Sequence, residues 1–492
     1  MRNLVSAGCA TLTLKRIYLK NDITSAFANI RKFFDYPCLL ESASGSDKLS
    51  ELSILVFDPS YILSSLPQKG EVELEDRLHS TGVVSLSLND PLISLEKLLE
   101  LLPVKQVSAQ ASFRFIGGAV GYVSYEYAKH SLSPCFSPSS SPTFPDIQFG
   151  IYEQGIIIDH RQRKSFYFFS DRLKDQSKEV EEICNSSNAA LCIEDDSQNK
   201  KYNQDRIFRF SKPEVNISKE EFEESITKAK SYIRKGDVFQ VVLSKKYKFK
   251  ITGDILRFYS KLKSINPSPY MYLVDFDDTK IVGSSPEMLV RVDGRFIETF
   301  PIAGTRPSSR NEFENSRLAK ELISDEKERA EHVMLVDLAR NDVGRLAEFG
   351  SVSVNEFMKV HTYSHVQHIV SHVRGRLRDG MTSFDAVRFL FPAGTVSGAP
   401  KIRAMEIISE LEAEPRGPYA GTVGYFSFNG NADFAITIRT LIARDNEAYI
   451  QAGVGIVADS EPAAEWFETE HKVAALMKAL ELASSREDRS DN

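Results

Sequence analysis

Two carboxylate pairs, Glu328/Glu331 and Glu465/Glu468, have the residue type and spacing to handle a cation. A helix advances about 100° per residue, so positions three or four apart share a face. In SDEKERAEHVMLVDLARNDVG, Glu328 and Glu331 share a stripe with Leu335 and Leu338, which should face a core. In DSEPAAEWFETEHKVAALMKAL, Glu465, Glu468 and Lys472 line a stripe that continues into Leu476, bordered by Trp466, Val473, Met477 and Leu480. Acidic residues on helices are ordinarily solvated, and Glu468 with Lys472 has the spacing of a surface i,i+4 ion pair. The alignment of both pairs with apolar stripes weighs against that. Carboxylates drawn toward an interior need a counter-charge, and a hard divalent ion such as Mg2+ supplies one.

Other segments offer chemistry of their own. GSSPEML places Glu287 after a Pro-restricted turn, where desolvation would raise its pKa. PAGTVSGAPK (392–401) concentrates small and hydroxyl residues just before a helix, which suits an anionic substrate or simply a connecting loop. Arg439 sits within the strand-like AITIRTLI, where its guanidinium fork suits a carboxylate or faces water from an edge. His361, His365, His368 and His372 would share a helix face, but HIVSHV reads as a strand that puts His368 and His372 on one side. No zinc spacing accompanies them. AGVGIVA carries G-x-G-x-x-A at Gly453, Gly455 and Ala458, yet its branched residues stay extended and the helix starts later, so NAD is rejected. The glycines either admit an anionic ligand to the backbone or mark a tight bend in a sheet.

These residues need a framework. Residues 11–183 read as a mixed α/β region with a helix at ITSAFANIRKFF and strand-like runs such as LSILVF, VVSLSL and SFYFFS. HSLSPCFSPSSSPTFP is an exposed loop, and 184–217 reads as a linker or a pair of marginal strands. From Ser218, an N-cap with Glu221 completing a capping box, a second region runs to about 480. Strands in consecutive runs with short turns favour antiparallel sheets covered by helices over a βαβ array.

At 492 residues, two or more domains are expected, with an ordinary globular composition. The net charge of −7 argues against nucleic acid or an anionic membrane as the main partner. No apolar run approaches membrane-spanning length. Five scattered cysteines favour reduced thiols and a cytoplasmic location. MRNLVSAGCATLTLKR is basic like a targeting peptide, but TLTLKRIYLK alternates like a first strand, and the strand is preferred.

Taken together, PIAGTRP (301–307), the two acidic helices, PAGTVSGAPK, GPYAGTVGYFSF (417–428), AITIRT (435–440) and AGVGIVADSEP resemble the chorismate-utilising enzymes, most closely anthranilate synthase component I. The resemblance extends more weakly to LLESAS (39–44) and FIGGAVGYVSYE (115–126). It implies an α+β fold of two intertwined α/β domains around a large antiparallel β-sandwich, helices outside. It implies that Glu331 and Glu468 bind Mg2+, with Glu328 and Glu465 beside them. Tyr419, Arg439, Gly453, Gly455, Lys472 and Thr395 then match substrate contacts, as does the Ala303-Gly304-Thr305 segment. Glu287 matches the general acid for the departing C4 hydroxyl, and His368 a histidine near the reacting ring.

Two positions select the branch. A nucleophilic lysine of the aminodeoxychorismate branch is replaced by Ala303, and a water-activating lysine of the isochorismate branch by Gln240. An amide cannot act as that base, and ammonia needs none. The implied reaction is Mg2+-assisted attack of ammonia on chorismate, giving anthranilate and pyruvate in tryptophan biosynthesis. Ser42 of LLES with Pro269, Tyr270 and Met271 resembles the tryptophan-binding elements of feedback-inhibited members, although relatives also hold tryptophan structurally. With no G-x-C-x-G elbow, glutamine use requires a separate amidotransferase subunit, expected in a heterotetramer. The rival readings are an aminodeoxychorismate synthase component and a non-catalytic tryptophan sensor.

Overall fold

The computed structural model describes residues 9–43, 51–66, 70–78, 82–87, 90–106, 113–131, 143–186, 207–308, 311–362 and 366–485. His365, 132–142 of the Pro/Ser-rich stretch and 187–206 of the expected linker lie outside the described residues. The described strands form two sheets, of fourteen and twelve strands. Strands from both halves of the chain enter each sheet. In the first sheet, Cys38–Glu41 pairs antiparallel with Tyr270–Phe276. In the second, Gly118–Val123 pairs antiparallel with Thr422–Ser427. The regions 11–183 and 218–480 are therefore joined edge to edge twice.

The side-chain period of a strand explains the packing. On the first sheet, Cys38, Ile54, Tyr272, Ile281 and Ile442 join the core shared with the second sheet. Their neighbours Leu39, Leu55, Leu273, Val282 and Leu441 face a second core with Phe27, Phe258 and Leu476 of the covering helices. With both faces buried, these strands read as apolar runs rather than alternating ones. The architecture is a β-sandwich with helices outside.

The helical signals hold locally. Ser218 caps Lys219–Arg234 with Glu221 in a reciprocal capping box. The acidic helices span Glu326–Gly344 and Pro462–Ser484. His368 and His372 lie on the strand Val366–Arg376. Gly453 and Gly455 lie inside the strand Glu447–Ile456, and the next helix begins only at Pro462. Among the described residues, Cys9, Cys38 and Cys184 are free thiols. No described helix is long and apolar enough to cross a membrane.

One expectation is corrected. Arg439 is not inside a strand: AITIRTLI splits into Ala432–Ile436 of the second sheet and Thr440–Arg444 of the first. Arg439 has φ 50°, a left-handed conformation that breaks the ladder at the crossing. Its neighbouring segment crosses at the same level, from Thr279–Ser285 in the first sheet to Met288–Asp293 in the second.

Gly398 shows how tightly the turn after PAGTVS is held. Its φ is 137°, and a Cβ there would lie 2.2 Å from the Gln240 carbonyl oxygen. Gly398→Ala should destabilise the protein by about 1–3 kcal/mol through overpacking and backbone strain. A lowered midpoint in urea unfolding checks this.

Candidate functional site

The two crossing segments bring Glu287 and Arg439 together in the gap between the sheets. Ile436 N–H donates to the Glu287 carbonyl at 3.0 Å, and Ser284 N–H donates to the Arg439 carbonyl at 3.1 Å. Burial pushes the Glu287 carboxyl up to about 7, while the Thr395 hydroxyl and the Arg439 and Lys472 charges pull it down. Burial also lowers the Arg439 pKa, opposed by Glu287. The Arg439 guanidinium remains a cation. A left-handed arginine at this crossing is backbone strain of the kind held at functional sites.

The second sheet supplies His368. Its Nδ1 lies 2.8 Å from the Gly304 carbonyl oxygen, an acceptor, so the ring proton sits on Nδ1 and Nε2 is the basic nitrogen. Burial, with the Arg439 charge, drops its pKa to about 4, so the imidazole is neutral near pH 7. Ala303 is buried and pairs with Ile369, and a register shift follows between Ala303 and Arg306. Gly304 occupies this irregularity with φ 65°, where an added Cβ would lie 3.0 Å from Glu328 Oε2. Thr305 shares the strand, but its side chain lies outside the described residues.

From the first sheet come Gln240 and the two glycines. Val242 pairs with Gly455 and Ser244 with Gly453. A Cβ on Gly455 would lie 2.2 Å from Gln240 Nε2, and one on Gly453 2.8 Å from the Tyr419 hydroxyl. The close approach is thus made by this chain's own Gln240 and Tyr419. Gln240 is 6% exposed, and its Oε1 has no hydrogen-bond partner among the described residues. The buried Thr395 Oγ1 likewise makes no well-formed hydrogen bond. Such atoms are costly unless something polar meets them. Burial raises the Tyr419 pKa, so its phenol stays a neutral donor.

The acidic pairs face one another across the mouth of this gap. The Glu331 pKa is raised by burial, then by the like charges of Glu328 and Glu468. That of Glu465 is raised by burial and by Glu468, against a hydrogen bond with Ser460. Glu328 and Glu331 are half-buried, as is Glu465, whereas Glu468 is exposed. Glu468 pairs with Lys472 at 2.8 Å, the i,i+4 pair that its spacing allows. Lys472 also donates to the Gly453 carbonyl at 3.0 Å. No three described His, Cys, Asp or Glu residues converge closely enough to form a closed metal cage.

A cleft of about 440 Å3 reaches Glu287 and Thr395 and is walled by Phe300, Leu335, Leu338 and Asp342. Sequence reasoning missed two of the charges here. Arg306, visible in PIAGTRP, lies 3.3 Å from Glu328 and 3.0 Å from Asp325. Asp342 pairs with Lys401 at 3.1 Å, tying the acidic helix to the segment after PAGTVSGAP.

A second cavity, about 510 Å3, collects all four residues expected for tryptophan: Ser42, Pro269, Tyr270 and Met271. Ser42 Oγ donates to the Pro269 carbonyl at 2.9 Å. Tyr270 donates to Asp433 at 3.0 Å, and Asp433 pairs with the buried Arg291 at 2.7 Å. Glu41, beside Ser42 in LLES, is buried against Lys263 at 2.7 Å. Arg291 and Asp433 were not anticipated, because their only sequence signal is a charge within an apolar strand.

The Glu287 shift has a consequence for stability. A carboxyl raised to about 7 favours the folded state below its unfolded pKa, and this contribution is lost as pH rises through 7. The melting temperature of Glu287→Gln relative to the unsubstituted protein should therefore rise between pH 5 and pH 8. Calorimetry across that range checks it, and a flat difference would contradict the burial of the charge.

The description "chorismate binding enzyme" belongs to the family model that matches residues 59–478. Anthranilate synthase component 1 of Methanothermobacter marburgensis is 43% identical over 464 residues, covering 94% of this chain and 93% of that protein. The Aquifex aeolicus protein of the same name is 42% identical, with 94% and 93% covered. The crystal structure of anthranilate synthase component I from Streptococcus pneumoniae superposes with a TM-score of 0.72 at 36% identity, covering 87% of this chain and 92% of that one. With this coverage and the sandwich fold in common, the chain belongs to the chorismate-binding enzyme family.

Proposed function

We propose that this chain is an anthranilate synthase large subunit, converting chorismate and ammonia to anthranilate and pyruvate at the first committed step of tryptophan biosynthesis. The observation that carries this reading is identity above 40%, across 94% of the chain, to relatives named anthranilate synthase component 1. In this reading the enzyme works in the cytoplasm, and a separate amidotransferase subunit delivers ammonia from glutamine.

The gap between the sheets suits the chemistry. Arg439, with no close ion pair among the described residues, and the Tyr419 phenol offer a cation and a donor to a substrate carboxylate. Thr395 Oγ1 adds a hydroxyl that lacks a well-formed bond. Glu287, with its pKa near neutrality, holds a proton and gives it to the departing C4 hydroxyl. The buried Gln240 Oε1 accepts a hydrogen bond from ammonia but cannot deprotonate water. Neutral His368 stands near the ring with Nε2 as its basic atom. Ala303 carries no nucleophile, which favours this reading over an aminodeoxychorismate synthase component.

The facing acidic pairs fit Mg2+. Glu331 and Glu465 both feel Glu468 as a like charge, with Lys327 and Lys472 acting against it. Mg2+ is usually held by one or two carboxylates, with water and substrate oxygens completing its shell, so an open donor set suits it. Glu331 and Glu468 would hold the ion, with Glu328 and Glu465 beside them. When bound, it supplies positive charge to the ring carboxylate of chorismate.

In the same reading, the cavity at Ser42 and Tyr270 takes tryptophan as a feedback inhibitor. Buried Glu41 and half-buried Asp433 lie on its wall for an ammonium group.

The purified chain with chorismate, Mg2+ and ammonium should release anthranilate and pyruvate in equal amounts, and a chelator should stop it. Chorismate consumed without pyruvate would refute the reading. Glu468→Ala should lower turnover more than a hundredfold while calorimetric tryptophan binding stays intact. Ser42→Phe, which fills the second cavity, should retain ammonium-dependent turnover and lose its inhibition by tryptophan.

A further inference from the structure

We infer that Lys245, a buried lysine remote from the reacting groups, is the positioning residue that sets the rotation of the last helix. The inference rests on the reading that this helix presents Glu465, Glu468 and Lys472 to the site. Lys245 lies on the strand Gln240–Thr252, and none of its side chain is exposed. Its ammonium sits 3.0 Å from the centroid of the Trp466 ring and pairs with Glu470. The Tyr247 hydroxyl donates to the same Glu470 oxygen at 2.7 Å. Phe222 meets the Trp466 ring edge-on, with centroids 5.8 Å apart.

Trp466 and Glu470 are one helical turn apart and share a face of Pro462–Ser484. Glu465, Glu468 and Lys472 project from a different side of the same helix, across the buried stripe of Val473 and Leu476. Fixing one side fixes the other. At a side-chain radius of about 6 Å, a roll of about 20° would move a carboxylate by about 2 Å, enough to spoil its placement against Glu331.

A buried ammonium is a poor way to gain stability. Burial lowers the Lys245 pKa, with Glu470 acting against it. An apolar side chain of similar length would pack there without that desolvation. What the ammonium adds is direction, because a cation over a ring face and an ion pair both depend on geometry.

Trp466 is the single tryptophan of the chain, so its emission reports on this clamp. The full chain and its Lys245→Met, Lys245→Arg and Glu470→Gln variants would be compared. Two readouts are needed: the MgCl2 concentration giving half of the thermal-midpoint shift without chorismate, and kcat and KM for chorismate with ammonium. Lys245→Met should change Trp466 emission and raise the half-saturating MgCl2 and KM at least fivefold, with kcat at saturation reduced less than twofold. Lys245→Arg, which keeps the cation, should return all of these to within twofold. Should Lys245→Met fail to fold, Glu470→Gln carries the same expectation through a half-exposed residue. Changed emission with unchanged half-saturation and KM overturns the inference, as does a loss confined to kcat and stability. A parent protein that makes no anthranilate would remove the proposed function, while the MgCl2 thermal titration would still decide the role of Lys245.

Discussion

The rest of the site depends on two neighbouring chain segments that leave one sheet for the other at the same level. Gly283 pairs with Thr440 in the first sheet, and Met288 pairs with Ala435 in the second. Between those pairings, the segments must bend together, and the backbone groups freed at the bend bond each other at Glu287 and Arg439. A carboxyl and a guanidinium are therefore placed together in a half-buried gap. Burial there raises the first and lowers the second, each partly offset by the other. The left-handed backbone at Arg439 is the local cost of the crossing.

Around this gap, each sheet adds its own residues. The first contributes Gln240 and the glycines, held by the ten-residue pairing of Gln240–Thr252 with Glu447–Ile456. The second contributes Ala303, Gly304 and His368. The helices then close the mouth with negative charge. Their like-charge repulsion is tolerated because each helix is anchored elsewhere. Leu335 and Val336 hold one and Val473 and Leu476 the other, all buried.

The second cavity shares this framework. Ala435 lines it, while Met288, its partner across the pair, lines the cleft at Glu287. Tyr270 packs against the small cluster of Met288, Phe300 and Val370. Arg291 extends the contact, reaching Glu298 at 3.7 Å, and Glu298 bonds His372, which stacks on Phe300 at 4.3 Å. The two cavities are thus separated by one layer of packed side chains rather than by a domain boundary.

Much was legible in the sequence because it is local. The capping box at Ser218, the helical stripes of the acidic pairs and the period-2 setting of His368 and His372 depend on neighbours a few residues away. The motifs that resemble the chorismate-utilising enzymes were legible for another reason, since they are runs of residue types at fixed offsets. What could not be read is set by partners far along the chain. AITIRTLI looks like one strand, because its break at Arg439 is imposed by a crossing segment some 150 residues earlier. Arg306 beside Glu328, Asp342 beside Lys401 and Lys245 beneath Trp466 are pairings across elements, to which periodicity is blind. The sequence by itself determined which residue types stand at which offsets and the local element on which most of them lie. Only the tertiary structure decided which of them share a low-dielectric gap and which keep their own counter-ions, because desolvation and Coulomb terms depend on distances that only folding sets.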